Sequence, residues 1–323
     1  MSDSNSAGPD RGSRSNSLTD LQAIESLVRL GQGSEQYLRT VYQERFAEWK
    51  RSAEAGEPVG HWLIGRCYHL GLGVEKDERR AFDSYHRAAE QGLPIGQNAV
   101  GLCYENGIGV EPDSVKAVEW YRRAANQGYA AGLVCLGVCY QNGIGIDVDP
   151  AEAFRCWHQA AEQEWPAAQN YVGICFQRGI GVPASPEKAV AWYRRAAENG
   201  HSEAQFWLGL CYQEGIGVEP DAVEAFSWTR RAAEQEYSEA QYALGYCYHH
   251  GIGTAADAAE AIKWYRRAAQ EWHGEAQYAL GCCYGEGAGV GRDRTEAAKW
   301  FRLAAAQGVS DAEEALAALE EWT

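Results

Sequence analysis

Four kinds of residue in this sequence could carry chemistry. There are ten cysteines. Cys135 and Cys139 stand four apart, which puts them on one face of a helix, and Cys156 falls on the helix that would pair with it, so a disulfide or a metal trio is one reading. His249 and His250 adjoin each other near Cys247, as a metal pair or a pH sensor could. Ser185-Pro186-Glu187-Lys188 spells Ser-x-x-Lys, the word of serine acyl-enzymes. Gly-x-Gly pairs recur from Gly71 and Gly73 to Gly287 and Gly289, like phosphate cradles. Each has a plainer counterpart. There is no Cys-x-x-Cys, and isolated thiols in a reducing compartment serve as small apolar fillers. Neighbouring histidines do not share a helix face. Ser185 lacks the companion motifs of its chemistry, and no Lys-Ser/Thr follows the glycine loops. The plainer reading is adopted throughout: no catalytic residue, no metal, no cofactor, and no enzyme.

The elements that hold these residues repeat. The glycine ahead of each Cys word occurs at Gly65, Gly101, Gly137, Gly173, Gly209, Gly245 and Gly281, a constant step of 36. Cys67, Cys103, Cys139, Cys175, Cys211, Cys247 and Cys283 keep the same step. Each copy reads as two helices. Helix A ends at the Gly-x-Gly, where glycine takes the left-handed position without a Cβ clash. Helix B opens after Asp77, Asp113, Asp149, Ser185, Asp221, Asp257 or Asp293, all capping residues. Ala117, Trp120, Tyr121, Ala124 and Ala125 then form one apolar stripe. Gly92, Gly128, Gly200 and Gly308 close four B helices; Glu164, Glu236 and Trp272 fill that slot elsewhere, so those turns are expected to differ slightly. The Arg pairs, such as Arg122-Arg123 and Arg266-Arg267, read as a solvated outer face balanced by Glu.

The fold class expected is all-α: a right-handed α/α superhelical solenoid of seven 36-residue helix-turn-helix repeats with capping helices at both ends. The expected boundaries are a disordered tail over 1–17, N-terminal capping helices or a divergent repeat over 18–56, and repeats at 57–92, 93–128, 129–164, 165–200, 201–236, 237–272 and 273–308. A capping helix follows at 309–323. Apolar residues make up 46% of the 323, ample for a core. The formal charge of −16 argues against nucleic acid and against acidic membrane surfaces. No apolar run suffices to cross a bilayer, and the Ser/Gly/Asn/Asp-rich start lacks the apolar centre of a signal peptide. A cytoplasmic address is the expectation.

The word A-x-x-x-L-G-x-C-Y-x-x-G-x-G-V, then D, then A-x-x-W-Y-R-x-A-A-x-Q-G, resembles the Sel1-like repeat over residues 57–322. The resemblance implies a right-handed solenoid related to tetratricopeptide arrays, with A helices on the concave side, and a role as adaptor or scaffold. One cysteine-rich bacterial branch, which binds β-lactams, staples helix B to the next helix A. Its cysteine slots correspond to Ala89 and Gly96, and to Ala125 and Gly132, so this chain does not carry that pattern.

Recognition should reside where the copies differ. Slots three before, one after and four after the index glycine form a stripe off the core. They hold Trp62, Arg66 and His69 in the first copy, Asn98, Leu102 and Glu105 in the second, and Asn170, Ile174 and Gln177 in the fourth. Later copies carry Phe206, Leu210 and Gln213, then Tyr242, Tyr246 and His249, then Tyr278, Cys282 and Gly285. The groove candidates are therefore Trp62, Asn98, Asn170, Gln177, Phe206, Gln213, Tyr242, Tyr246, His249 and Tyr278. Aromatics beside polar groups suit a peptide groove. The expected function is a non-enzymatic protein-interaction scaffold, a monomer that binds a protein or peptide segment on its concave A-helix surface. A β-lactam-binding hydrolase and a homotypic assembly module are the alternatives.

Overall fold

The structure, a computed structural model, describes residues 11–29 and 33–320. It shows seventeen helices and no strand among the described residues, an all-α solenoid. The chain divides into two compact units, Met1–Ala184 and Ser185–Thr323. The first opens with α1 (Arg11–Arg29) and α2 (Ser34–Glu54). The A/B pairs α3 (Pro58–Leu70) and α4 (Glu78–Glu90), α5 (Pro94–Asn106) and α6 (Ser114–Asn126), and α7 (Ala130–Asn142) and α8 (Pro150–Ala161) follow, then α9 (Pro166–Arg178). The second unit holds α10 (Pro186–Glu198), the pairs α11 (Ser202–Glu214) and α12 (Ala222–Glu234), α13 (Ser238–His250) and α14 (Ala258–Gln270), and α15 (Gly274–Glu286) and α16 (Arg294–Ala306), and last α17 (Ser310–Glu320). Residues 1–10 of the expected tail lie outside the described residues. Its remainder is helical, since α1 begins at Arg11 and Ser17 is already buried.

The Cys-Tyr word anchors the elbow between A and B. The Cys103 carbonyl accepts from the N–H of Gly107 and of Ile108, and the Tyr104 carbonyl accepts from the N–H of Asp113 at 2.9 Å. Asp113 then caps α6 by accepting from the Lys116 N–H. All seven expected cap residues accept in this way, Ser185 among them. The first loop glycine, Gly107, needs only its left-handed φ of 70°. The second, Gly109, also touches the preceding repeat: a Cβ there would stand 2.0 Å from the Glu78 carbonyl oxygen. Gly253 meets the Ala222 carbonyl in the same way. The index glycine has a third use. A Cβ on Gly101 would lie 2.5 Å from the Tyr121 ring, so its absence seats that ring on helix A.

A left-handed residue closes helix B in every described copy. Glu164, Glu236 and Trp272 take φ of 58°, 64° and 63°, beside Gly92, Gly128, Gly200 and Gly308 at 76–86°. The turns differ only slightly, as expected: the stacking geometry keeps the backbone left-handed, and the non-glycine residues bear the strain. The same stacking explains a buried glutamine ladder. Gln97, Gln205, Gln241 and Gln277 each donate to a carbonyl eight residues back on the preceding B helix. The turn glutamine that follows completes the bridge, Gln127 to Gln97 Oε1 at 2.8 Å and Gln235 to Gln205 Oε1 at 2.7 Å. The slot that would serve Gln241 holds Glu271, which has no donor, and Gln241 Oε1 is buried without a partner. Gln277 Oε1 is also unpaired although Gln307 occupies its slot, and nothing in the structure explains that.

The Arg pairs named from the sequence are exposed, with Arg123 beside Glu90 and Arg230 paired to Glu234, and they make structural contacts as well. Arg123, Arg195, Arg231 and Arg267 each lie 4.2–4.5 Å over the Trp three residues earlier. Their neighbours Arg194 and Arg266 donate to Tyr212 and Tyr284 on the next A helix.

Two substitutions test this account by urea unfolding. A non-glycine residue in the left-handed region costs roughly 1–2 kcal/mol, so Glu236→Gly is expected to stabilise by about 1 kcal/mol; a loss of stability would contradict the strain. Glu271→Gln supplies the missing donor to Gln241 and is expected to gain about 1 kcal/mol, with no gain if the orphaned oxygen carries no cost.

Candidate functional site

The second unit displays the recognition stripe most openly. Phe206 and Leu210 on α11, Tyr242 and Tyr246 on α13, and Tyr278 on α15 occupy equivalent slots. Tyr246 is 43% exposed, with its ring 4.1 Å from that of His250. Tyr242 is half-buried, stacked on His273 at 4.9 Å and tilted against Tyr265 at 5.8 Å. Phe206 touches Trp207 and Tyr237, and Tyr278 touches Phe301. Phe206, Tyr242 and Tyr278 thus pack against neighbouring repeats on one edge and keep another accessible, whereas Tyr246 meets His250 of its own helix. Gln213 is exposed, and His249 is half-buried with Nδ1 lacking a partner. Burial first, and then the Glu275 charge, push the Tyr242 hydroxyl up, so it remains a neutral donor at physiological pH. The exposed carboxylates Glu239 and Glu275, in the first turns of α13 and α15, make the rim acidic.

In the first unit the same stripe is less open. Trp62, Asn98 and Asn170 are 4%, 8% and 1% exposed, and Gln177 is half-buried. Trp62 and Asn98 lie beneath α1, whose Ile24 and Val28 face them across a cavity. Spacing supplies the signal for this docking: Leu21, Ile24 and Val28 fall on one helix face. Their destination is non-local and was not legible.

None of the four chemical readings gains support from the geometry. All ten cysteines are free, and no cluster of three metal-ligating groups occurs among the described residues. Ser185 Oγ caps α10 and donates to Glu187 at 3.0 Å. The seven periodic thiols are buried. Burial pushes Cys67, Cys103 and Cys175 up to about 12 and Cys139, Cys211 and Cys283 to about 11, against an ordinary 9.0.

Family and structural comparisons agree with this architecture. A family model described as Sel1 repeat matches residues 58–93, 94–129, 134–164, 166–201, 202–237, 238–271 and 274–309. The crystal structure of c5321, a protective antigen present in uropathogenic Escherichia coli strains displaying an SLR fold, is similar with a TM-score of 0.73 and 32% identity. That match covers 93% of this chain and 67% of that one. A Sel1 repeat protein from Oxalobacter formigenes is similar at a TM-score of 0.67 and 32% identity, over 76% of this chain and 96% of the other. A comparison with curated proteins finds no match.

The thiol shifts have a testable sign. The folded state keeps protons that the unfolded chain sheds near pH 9, so the contribution to stability is complete below that pH and is lost as pH rises toward 11–12. The midpoint of thermal unfolding is expected to fall steadily above pH 9. In native protein at pH 8 the periodic thiols should resist iodoacetamide, and in urea they should react within minutes; prompt native labelling would contradict their burial.

Proposed function

Because the chain belongs to the Sel1 repeat family, whose members generally act as protein-interaction scaffolds, we propose that it is a non-enzymatic adaptor. In this reading the A-helix face of the second unit grips a protein segment. The observation that carries the proposal is Tyr246. A tyrosine 43% exposed costs apolar hydration, yet it stands among half-buried rings in a slot whose contents vary from copy to copy. Slots that serve only the stack, such as the Gly-x-Cys word, do not vary. Tyrosines with one packed and one open edge give rigid contact area at low entropic cost. Gln213 and the Tyr242 hydroxyl would bond the backbone of the bound segment.

The acidic rim and the charge of −16 favour a neutral or basic segment. Ten unbridged cysteines support a reducing, cytoplasmic setting. Ser185 as a helix cap gives the hydrolase alternative no support.

The test is a pull-down from the native host with wild-type chain and with Tyr242→Ala/Tyr246→Ala. The double variant is expected to lose the captured protein by tenfold or more while it keeps its helical circular dichroism. A folded variant that retains the protein undiminished would remove the groove from the account.

A further inference from the structure

A second site lies in the first unit. α1 roofs a cavity of about 190 Å³ over α3 and α5, with Ile24 and Val28 forming apolar wall. Four side chains that line it carry a buried polar atom without a hydrogen-bond partner: Trp62 Nε1, Arg66 Nε, His69 Nδ1 and Asn98 Oδ1. Twelve such atoms occur among the described residues, so a third of them gather here. Natural structures satisfy buried polar groups, and a cluster of exceptions calls for an explanation. Trp62, Arg66 and His69 stand at i, i+4 and i+7 of one helix and share a face. An indole N–H and a guanidinium Nε–H only donate, so both require an acceptor.

The repeat supplies its own control. The slot of Arg66 holds Leu102, Val138, Ile174, Leu210, Tyr246 and Cys282 in the other six copies, all uncharged. Arg66 does hydrogen-bond the Tyr85 hydroxyl on α4, but the equivalent Tyr121 and Tyr193 are buried beside Leu102 and Ile174, so stacking does not require the cation. Nor does it serve the docking of α1, which sets Ile24 and Val28 over the cavity. Arg66 makes no ion pair among the described residues, and the nearby Glu35 carboxylate is already bonded twice by Arg39, at 2.7 and 3.0 Å. The half-buried guanidinium feels the Glu35 charge but makes no ion pair with it, and its buried Nε–H is left without an acceptor, which is costly.

We propose that this cavity binds a small organic monocarboxylate. The carboxylate accepts from Arg66 and Trp62, and the apolar body lies against Ile24 and Val28. One guanidinium balances one negative charge, and the apolar wall disfavours a strongly hydrated dianion such as phosphate. The volume suits a ring bearing one carboxylate, about the space of six water molecules. His69, held neutral below its ordinary range first by burial and then by Arg66, and Asn98 offer polar contacts to a substituent. The orphaned atoms are closed to solvent although the cavity itself is partly open, and a ligand seated against Ile24 and Val28 should hold α1 down.

Calorimetry on the full chain tests this with benzoate and hexanoate, with benzyl alcohol as the uncharged match, against wild type, Arg66→Leu and Trp62→Phe. At least one carboxylate is expected to bind wild type saturably at one per chain. Arg66→Leu should weaken it tenfold or more and Trp62→Phe several-fold, and benzyl alcohol should not discriminate wild type from Arg66→Leu. Hydrogen exchange over 17–29 should slow with the carboxylate. Since Arg66→Leu restores the residue type of the other copies, it should unfold no earlier than wild type in buffer. Absence of carboxylate binding, binding indifferent to Arg66, or an Arg66→Leu chain that unfolds earlier because the arginine is structural would each overturn the proposal.

Discussion

The approach of the second loop glycine to the first turn of the preceding B helix sets the spacing of the repeats. A methyl group at Gly109 would overlap the Glu78 carbonyl, and the same holds for Gly145 on Ser114 and Gly181 on Pro150. Backbone therefore meets backbone directly, and each hairpin seats against its neighbour at a distance that no side chain can widen. The rest follows from that closeness. The buried alanines of helix B, Ala124 and Ala125 among them, are as small as the gap demands. The aromatic that follows the Trp of helix B has only the index glycine to lie on. The glutamine ladder spans the distance the glycines set.

Much of this was legible in the sequence because repetition separates what the stack requires from what it permits. A residue held constant through seven copies reads as geometry, and the caps, the Gly-x-Gly elbows and the A and B helices all came from that comparison. Two kinds of feature stayed hidden. Glu164, Glu236 and Trp272 announced a slight difference in their turns but not that they would be held in the left-handed region, which neighbouring repeats decide. The partners of the Arg pairs and of the buried glutamines lie up to a repeat away, and a periodic sequence does not say which atom meets which.

The recognition stripe was legible as a set of positions and less so as a surface. Variation marks it in both units, yet variation has two physical sources. In the second unit it leaves tyrosines with open edges. In the first it accommodates α1, and Trp62 and Asn98 pass from candidate ligands of a partner to walls beneath the chain's own helix. Only burial tells these apart. Arg66 is the exception that variation did expose, a charge in a slot that six other copies keep neutral.

The seven buried thiols carry a consequence for the life of the molecule. While the stack holds, oxidants and electrophiles find almost nothing to attack. Once it opens, sulfur comes free at regular intervals along a single strand, and any adduct or cross-link formed then is too bulky to return to a slot cut for a bare sulfhydryl. Damage at the periodic thiols would thus be recorded only by chains that have already come apart, and it would bar their way back, whereas the half-buried Cys135 and Cys282 stay partly open to it in the folded chain. Repair would then have to strip the sulfur before the chain could stack again.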